Sequence, residues 1–291
     1  MVALFVVVAL AGCRREGDEN LGLASRRRAA AVDVRALDRP GELEKSLALP
    51  STEVEKGLGA HRLAASTKLA LSAGTFSDTL EETFHLELDG KGGVHLLREN
   101  SHGTGNEAIA AGGQLYVRPR YGRFVRRAPE GDEVERLRDE TQGLGAGYLA
   151  VLGRFATRTD GGAGDFHGRP VRKVTLALAT TPGPFEDADP AHAWRKTIEV
   201  SALEGEVWID AATGAPLHAT LEAKYKGLRD GKPIAVALHH QADVEAIGAV
   251  APIAAPADAL PSPARARPLL DKQALLEGLA PGVNKKAAEE R

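Results

Sequence analysis

Residues 80–97 read Leu-Glu-Glu-Thr-Phe-His-Leu-Glu-Leu-Asp-Gly-Lys-Gly-Gly-Val-His-Leu-Leu. Leu80, Glu82, Phe84, Leu86 and Leu88 point one way, and Glu81, Thr83, His85 and Glu87 the other. A period of two is that of a half-buried β-strand, not a helix. Asp89-Gly90 then supplies a turn, where glycine tolerates positive φ, and Val94 to Leu97 returns. Working outward, Ala108-Ile109-Ala110, Gly112-Gly113 and Gln114 to Val117 repeat the hairpin device. Arg123 to Arg126 adds a short strand, and Arg62 to Leu71 a preceding one. At Asp132 the period changes. Asp132 to Leu137 predicts a capped amphipathic helix, and Ala146 to Phe155 a second one after the Gly143-Leu144-Gly145 break. Strands resume at Val171–Leu178, Thr197–Val200, Glu206–Asp210, Pro216–Tyr225 and from Ile234 onward, with Asp230-Gly231 as a second Asp-Gly turn. The expectation is an α+β fold: about 10–11 strands in one large, curved antiparallel sheet. The sheet forms an open half-barrel, with the central helical insertion covering its concave face.

Composition narrows the function classes. The 291 residues carry a formal net charge of -3, which removes the basic excess of a nucleic-acid binder, so no nucleic acid is expected as partner. One cysteine excludes an internal disulfide and a Cys-rich zinc module. That cysteine, Cys13, closes an uncharged run from Val2 to Gly12, too short for a spanning helix, which needs roughly 20 residues. Leu10-Ala11-Gly12-Cys13 resembles a bacterial lipobox. The resemblance implies cleavage before Cys13, acylation of its new amino terminus, and a membrane partner through that lipid. It places the protein in the bacterial cell envelope. Arg14 after the cysteine, by analogy with enteric lipoproteins, points to the outer membrane, facing the periplasm.

Beyond the leader, every aromatic lies between Phe76 and Tyr225, and six of the sixteen prolines follow residue 250. A segment without aromatics buries too little apolar surface to offset its chain entropy. The expected organisation is a signal peptide over 1–12, an acylated tether over 13–55, the half-barrel domain over 56–248, and a mostly loose Ala/Pro-rich tail over 249–291. Leu269, Leu270, Leu275, Leu276 and Leu279 would form one short helix in that tail. Arg26-Arg27-Arg28 reads as a solvated charge run in the tether.

The lipobox, the hairpin run, the helical insertion and the stretch Val207-Trp208-Ile209-Asp210-Ala211-Ala212-Thr213-Gly214-Ala215-Pro216-Leu217 together resemble the LolA/LolB and LppX/LprG lipoprotein superfamily. The resemblance implies an open half-barrel plugged by helices, with a hydrophobic cavity that takes a lipid or lipoprotein acyl chain. Phe84, Leu86, Leu96, Tyr116, Leu149, Trp208 and Leu221 are the residues expected to line it. The rival expectation is an anchored module that binds an envelope protein partner, its interior filled by side chains.

No catalytic constellation emerges, and a non-enzymatic protein without cofactor or metal is expected. His239-His240 alternate across a strand and cannot share an ion. His85, His95 and His102 would converge only across neighbouring strands, and there is no His-Glu-x-x-His spacing. Gly-x-Ser-x-Gly and Ser-x-x-Lys are absent. Gly143 to Gly147 follows a charged helix and lacks a Lys-Ser/Thr, so it reads as a hinge rather than a phosphate loop. Arg118, Arg120 and Arg123, interleaved with Tyr116, Tyr121 and Phe124, are the candidate contacts for an anionic headgroup, through guanidinium hydrogen bonds.

Overall fold

The computed structural model describes residues 32–262, apart from positions 40, 143 and 188. The leader, Cys13, Arg26–Arg28 and the residues expected to form a helix over 269–279 lie outside the described residues. Six strands come first: β1 (His61–Ala73), β2 (Phe76–Leu88), β3 (Val94–Asn100), β4 (Gly105–Ala111), β5 (Gln114–Pro119) and β6 (Val125–Arg127). After the helices follow β7 (Ala156–Phe166), β8 (Arg169–Leu178), β9 (Glu199–Asp210), β10 (Pro216–Arg229), β11 (Lys232–Glu245) and β12 (Leu260–Pro261). They form one 12-stranded sheet in the order β12-β6-β5-β4-β3-β2-β1-β11-β10-β9-β8-β7. All ladders but β12–β6 are antiparallel. The sheet is open, ending at β12 and β7. It is two meanders, β1–β6 and β7–β11, joined where β1 pairs with β11.

Four short helices lie on one face: α1 (Glu42–Leu47), α2 (Ser51–Leu58), α3 (Glu133–Gln142) and α4 (Leu144–Leu152). Leu43 and Leu47 of α1 join Leu149 and Leu152 of α4 in a core over β8–β11, with Val174, Val207, Leu221 and Leu238 beneath. Val54 and Leu58 of α2 cover a second core over β1–β5, built on Leu63, Phe84, Leu86, Leu96 and Leu115, with Val134 and Leu137 of α3 packed against it. The expected helical insertion is therefore present, and it covers one face together with α1, which lies within the expected tether, and α2, which runs across its boundary with the domain. The correction has a plain cause. Leu43/Leu47 and Val54/Leu58 are i,i+4 pairs that bury one stripe each, too short a pattern to stand out among the charged residues around them.

Three other boundaries move. The segment after β11, expected to be loose tail, crosses the helix-free face. There Ile253 and Ala259 pack on Ile109, Tyr116 and Phe124, and the Leu260 and Ser262 amides donate to the Phe124 and Arg126 carbonyls. Removing residues 249–262 is expected to lower stability by about 1–3 kcal/mol through exposure of that cluster, read from urea unfolding. Strand β7 falls outside the expected set; its Asp160-Gly161-Gly162 run holds a bulge at the edge of the sheet. Thr197–Val200 and Glu206–Asp210, expected as two strands, belong largely to one, β9. Gly205 masks the continuity because a Cβ there would collide with the Thr220 carbonyl oxygen of β10. Gly205→Ala is expected to cost about 1–3 kcal/mol as the backbones part, again read from the unfolding midpoint.

The β9–β10 turn is a structural keystone. Asp210, 1% exposed, accepts hydrogen bonds from the Ala212 and Thr213 amides and the Thr213 hydroxyl, and pairs with Arg169 at 2.6 Å. Burial works against its charge, yet the Arg169 guanidinium and Thr213 hold the carboxyl below its ordinary value. From the helix side, the Ser46 hydroxyl of α1 donates to the Gly214 carbonyl at 2.6 Å. Gly57 of α2 leaves room for the Thr213 side chain, which a Cβ would meet at 2.7 Å.

Candidate ligand site on the helix-bearing face

Residues paired directly across an antiparallel ladder share a face. Leu86 pairs with Leu96, Leu96 with Ala108, and Ala108 with Val117. Phe84 pairs with Ala65, Ala65 with Ala242, and Ala242 with Ala219, two residues from Leu221. Phe84, Leu86, Leu96 and Leu221 therefore line one face, and Leu149 of α4 lies over it. Five of the seven expected lining residues thus share the helix-bearing face, Phe84, Leu86 and Leu96 in one core and Leu149 and Leu221 in the other.

Tyr116 and Trp208 are corrections. Tyr116 neighbours Val117 and pairs with Ile109, so it points to the opposite face, under Phe124 and the C-terminal segment. Trp208 pairs with His218, His218 with Asp243, Asp243 with Ala64, and Ala64 with His85, which also places it opposite Phe84. It packs there against Phe166 and His218, with the Lys173 ammonium 4.0 Å from its ring centroid. The arginines do not form a free cluster either. Arg118 pairs with Glu107 at 2.5 Å and lies over the Phe124 ring, Arg120 pairs with Glu99 at 2.9 Å, and the Arg123 guanidinium faces the Asp258 carbonyl at 3.5 Å. His85, His95 and His102 also stay apart in their partnerships: His95 lies between Glu87 and Glu107, and His102 against Asp78.

The helix-bearing face holds a feature that strand alternation does not single out. On β1, Leu63 and Ala65 belong to one core and Leu69 and Leu71 pack on the other; Thr67 lies between them. On β11, His240 likewise lies between Ala242 and Val244 of one core and Val236 and Leu238 of the other. On β2, Glu82 is the next residue on the same side as Phe84. Glu82 pairs with Thr67 and Thr67 with His240, so the three make a polar seam across three strands. Tyr148 of α4 closes it. Its hydroxyl is 3.2 Å from the Thr67 hydroxyl, which lies 3.0 Å from His240 Nδ1, and the Tyr148 and His240 rings are 4.8 Å apart.

His240 is 1% exposed and its Nε2 has no hydrogen-bond partner. Burial, with the neighbouring His239 adding to it and a Ser66 backbone contact opposing, pushes its pKa down to about 4, so the ring is neutral near pH 7. Burial also raises the Tyr148 phenol, and Tyr225 to about 12. The signal in the sequence is a histidine at the inward position of the Ile234, Val236, Leu238 alternation. His239 points the other way, toward Glu222 at 3.1 Å, as the alternation predicts.

The opposite face carries a groove of about 550 Å³ with an alanine floor (Ala70, Ala202, Ala237) and a charged rim that includes Lys68, Glu204 and Glu222. Among the described residues no group of three or more His, Cys, Asp or Glu side chains converges as a metal site would require.

No family model matches this sequence, and no curated protein matches it. Solved structures similar to the chain include LprF from Mycobacterium bovis, 16% identical over 68% of this chain and 91% of that one, with a TM-score of 0.24. The lipoprotein LppX from Mycobacterium tuberculosis is 10% identical over 69% of this chain and 94% of its own, at a TM-score of 0.26. A putative outer membrane lipoprotein-sorting protein domain from Vibrio parahaemolyticus is 12% identical over 69% and 90%, at 0.21. At such scores the likeness carries no weight of its own. The open half-barrel stands on the strand order described above.

Proposed function

We propose that the protein is a non-enzymatic, membrane-anchored envelope lipoprotein whose half-barrel takes a lipid or acyl chain between sheet and helices, as carrier or receptor. The observation that carries this reading is the helix cover. One face of an open sheet is apolar over most of its strands, and among the described residues it is shielded by helices of 6 to 10 residues and by short non-helical stretches such as that around Val34 and Leu37. Among them α4, Leu-Gly-Ala-Gly-Tyr-Leu-Ala-Val-Leu, has no charged residue. Cover made of short segments is replaceable by an acyl chain, which gains about 0.8 kcal/mol for each buried CH₂. Cys13 is the proposed acylation site, and the anchor would hold the domain on the outer membrane, facing the periplasm. Cys13→Ser is expected to lose palmitate labelling and to leave the membrane fraction; a variant that keeps both would sink the anchor.

A second reading, an anchored module that binds another envelope protein, is favoured by one observation. Leu43, Leu47, Leu149, Leu152 and Phe155 fill the space under the helices as a packed core. Native mass spectrometry of unacylated residues 14–291 separates the two. A co-purifying mass that extracts into organic solvent is expected. A clean apo mass that stays apo after incubation with envelope lipids would move the assignment to the second reading.

A further inference from the structure

The polar seam is in the wrong place for a core that only has to be stable. Thr67, Tyr148 and His240 sit between two apolar clusters, where an all-apolar row would join them without the cost of burying polar atoms. His240 Nε2 is buried and unpartnered, so the network is incomplete as it stands. Hydroxyl rotation makes the incompleteness specific. If Tyr148 donates to Thr67 and Thr67 to His240 Nδ1, then Nε2 carries the proton and remains a donor. If His240 Nδ1 donates to Thr67 and Thr67 to Tyr148, then Nε2 is an acceptor and the Tyr148 hydroxyl is left to donate. The relay offers either polarity at Nε2 and, near pH 7, no charge.

We infer that this seam is the seat for the polar end of the bound chain, and that it selects an uncharged, hydroxyl-headed single-chain lipid such as a fatty alcohol or a monoacylglycerol. The inference rests on the acyl-chain reading above. A hydroxyl both donates and accepts, so it completes the relay in either orientation. A carboxylate or phosphate would bring an unpaired charge to the buried end, since Thr67, Tyr148 and the neutral His240 supply no countercharge. The charged members of the row lie at its outer end, where Arg98 Nε stands 3.8 Å from Glu82, both groups about a third exposed. They mark the end of the seam that meets solvent, while His240 marks the closed end.

The test is displacement of N-phenyl-1-naphthylamine fluorescence from the purified full-length protein by dodecan-1-ol, laurate and dodecane. Transfer from water alone ranks dodecane above dodecanol, because the hydroxyl costs energy to bury. The seam reverses that order: dodecanol is expected to compete at a concentration about tenfold lower than dodecane, the worth of one completed hydrogen bond. Laurate at pH 8 should be the weakest. Thr67→Val and Tyr148→Phe change little volume and leave His240 in place, and each is expected to restore the alkane to first rank. His240→Leu should do the same where it folds. Probe binding with the alkane first in the wild type, or with variants that leave the alcohol first, overturns the seam while sparing the acyl-chain site. Failure of the protein to bind the probe or any of the three competitors overturns both.

Discussion

Between pH 7 and pH 4 the folded protein is expected to lose about 3 kcal/mol of stability through His240 alone. The unfolded chain takes up a proton on this residue near its ordinary 6.5, whereas the folded chain resists until about 4. Over that interval the unfolded state binds more protons, so stability falls as pH falls. The full contribution is present above 6.5 and is gone below about 4. At about 1.4 kcal/mol for each pH unit the difference gives the figure quoted. Urea unfolding at pH 7.5, 5.5 and 4.5 measures it, with His240→Leu as the control that separates this residue from the other histidines. A variant with the same pH slope as the wild type would mean that His240 is not protected in solution. Only below about pH 4, where the folded ring itself takes up the proton, would α4 loosen, because the charged ring then faces the Tyr148 side chain and the Thr67 hydroxyl from the elements packed on it.

The second large effect is expected at the β9–β10 turn. Asp210→Ala removes the acceptor of three local hydrogen bonds and the partner of Arg169 at one stroke. Breaking a buried pair from one side costs about 3–5 kcal/mol, and Arg169 retains some access to water, which sets the expectation at about 3 kcal/mol. The loss should also release α1 and α2, since both grip this turn through Gly214 and Thr213. Asp210→Asn, which keeps an acceptor oxygen, should lose less. Thermal unfolding of the two variants against wild type decides it, and equal midpoints for all three would refute the keystone role.

The strands most legible in the sequence are those with one wet face. β2 alternates Leu80 to Leu88 with Glu81 to Glu87 because its outer side meets solvent, and its Asp-Gly turn fixes where β3 begins. Where both faces are covered, alternation says nothing about direction. Ala108, Ile109 and Ala110 of β4 are all buried, since helices cover one side and the C-terminal segment the other. That is why hydrophobicity alone puts Tyr116 on the wrong face. Trp208 misleads for a related reason: Phe166, His218 and Lys173 build a small cluster around it on the outer side. Helices α1 and α2 each offer a single buried stripe of two apolar residues, below what periodicity resolves. The site is legible by halves. Its apolar wall follows from strand alternation, but the seam needs the pairing of β1 with β11, which nothing local in the sequence specifies.

That pairing has a kinetic meaning. Every other long ladder in the sheet joins strands adjacent along the chain, so each meander can zip from its own turns. The β1–β11 ladder, from Arg62–Glu245 to Ser72–Ala235, must instead close a loop of most of the domain. Loop closure of that length is slow and is repaid only after contacts form. The expected sequence of events is two preassembled halves and a late, rate-limiting docking between them. A slip of two residues at the joint keeps every side chain on its proper face, so hydrophobic burial alone is a poor judge of register there. The Thr67–His240 hydrogen bond supplies the missing discrimination: a shift of two would set Thr67 against Leu238 or Ala242 and strand its partner. The bond that tunes the seam also marks the one alignment in which the two halves of the chain finish folding.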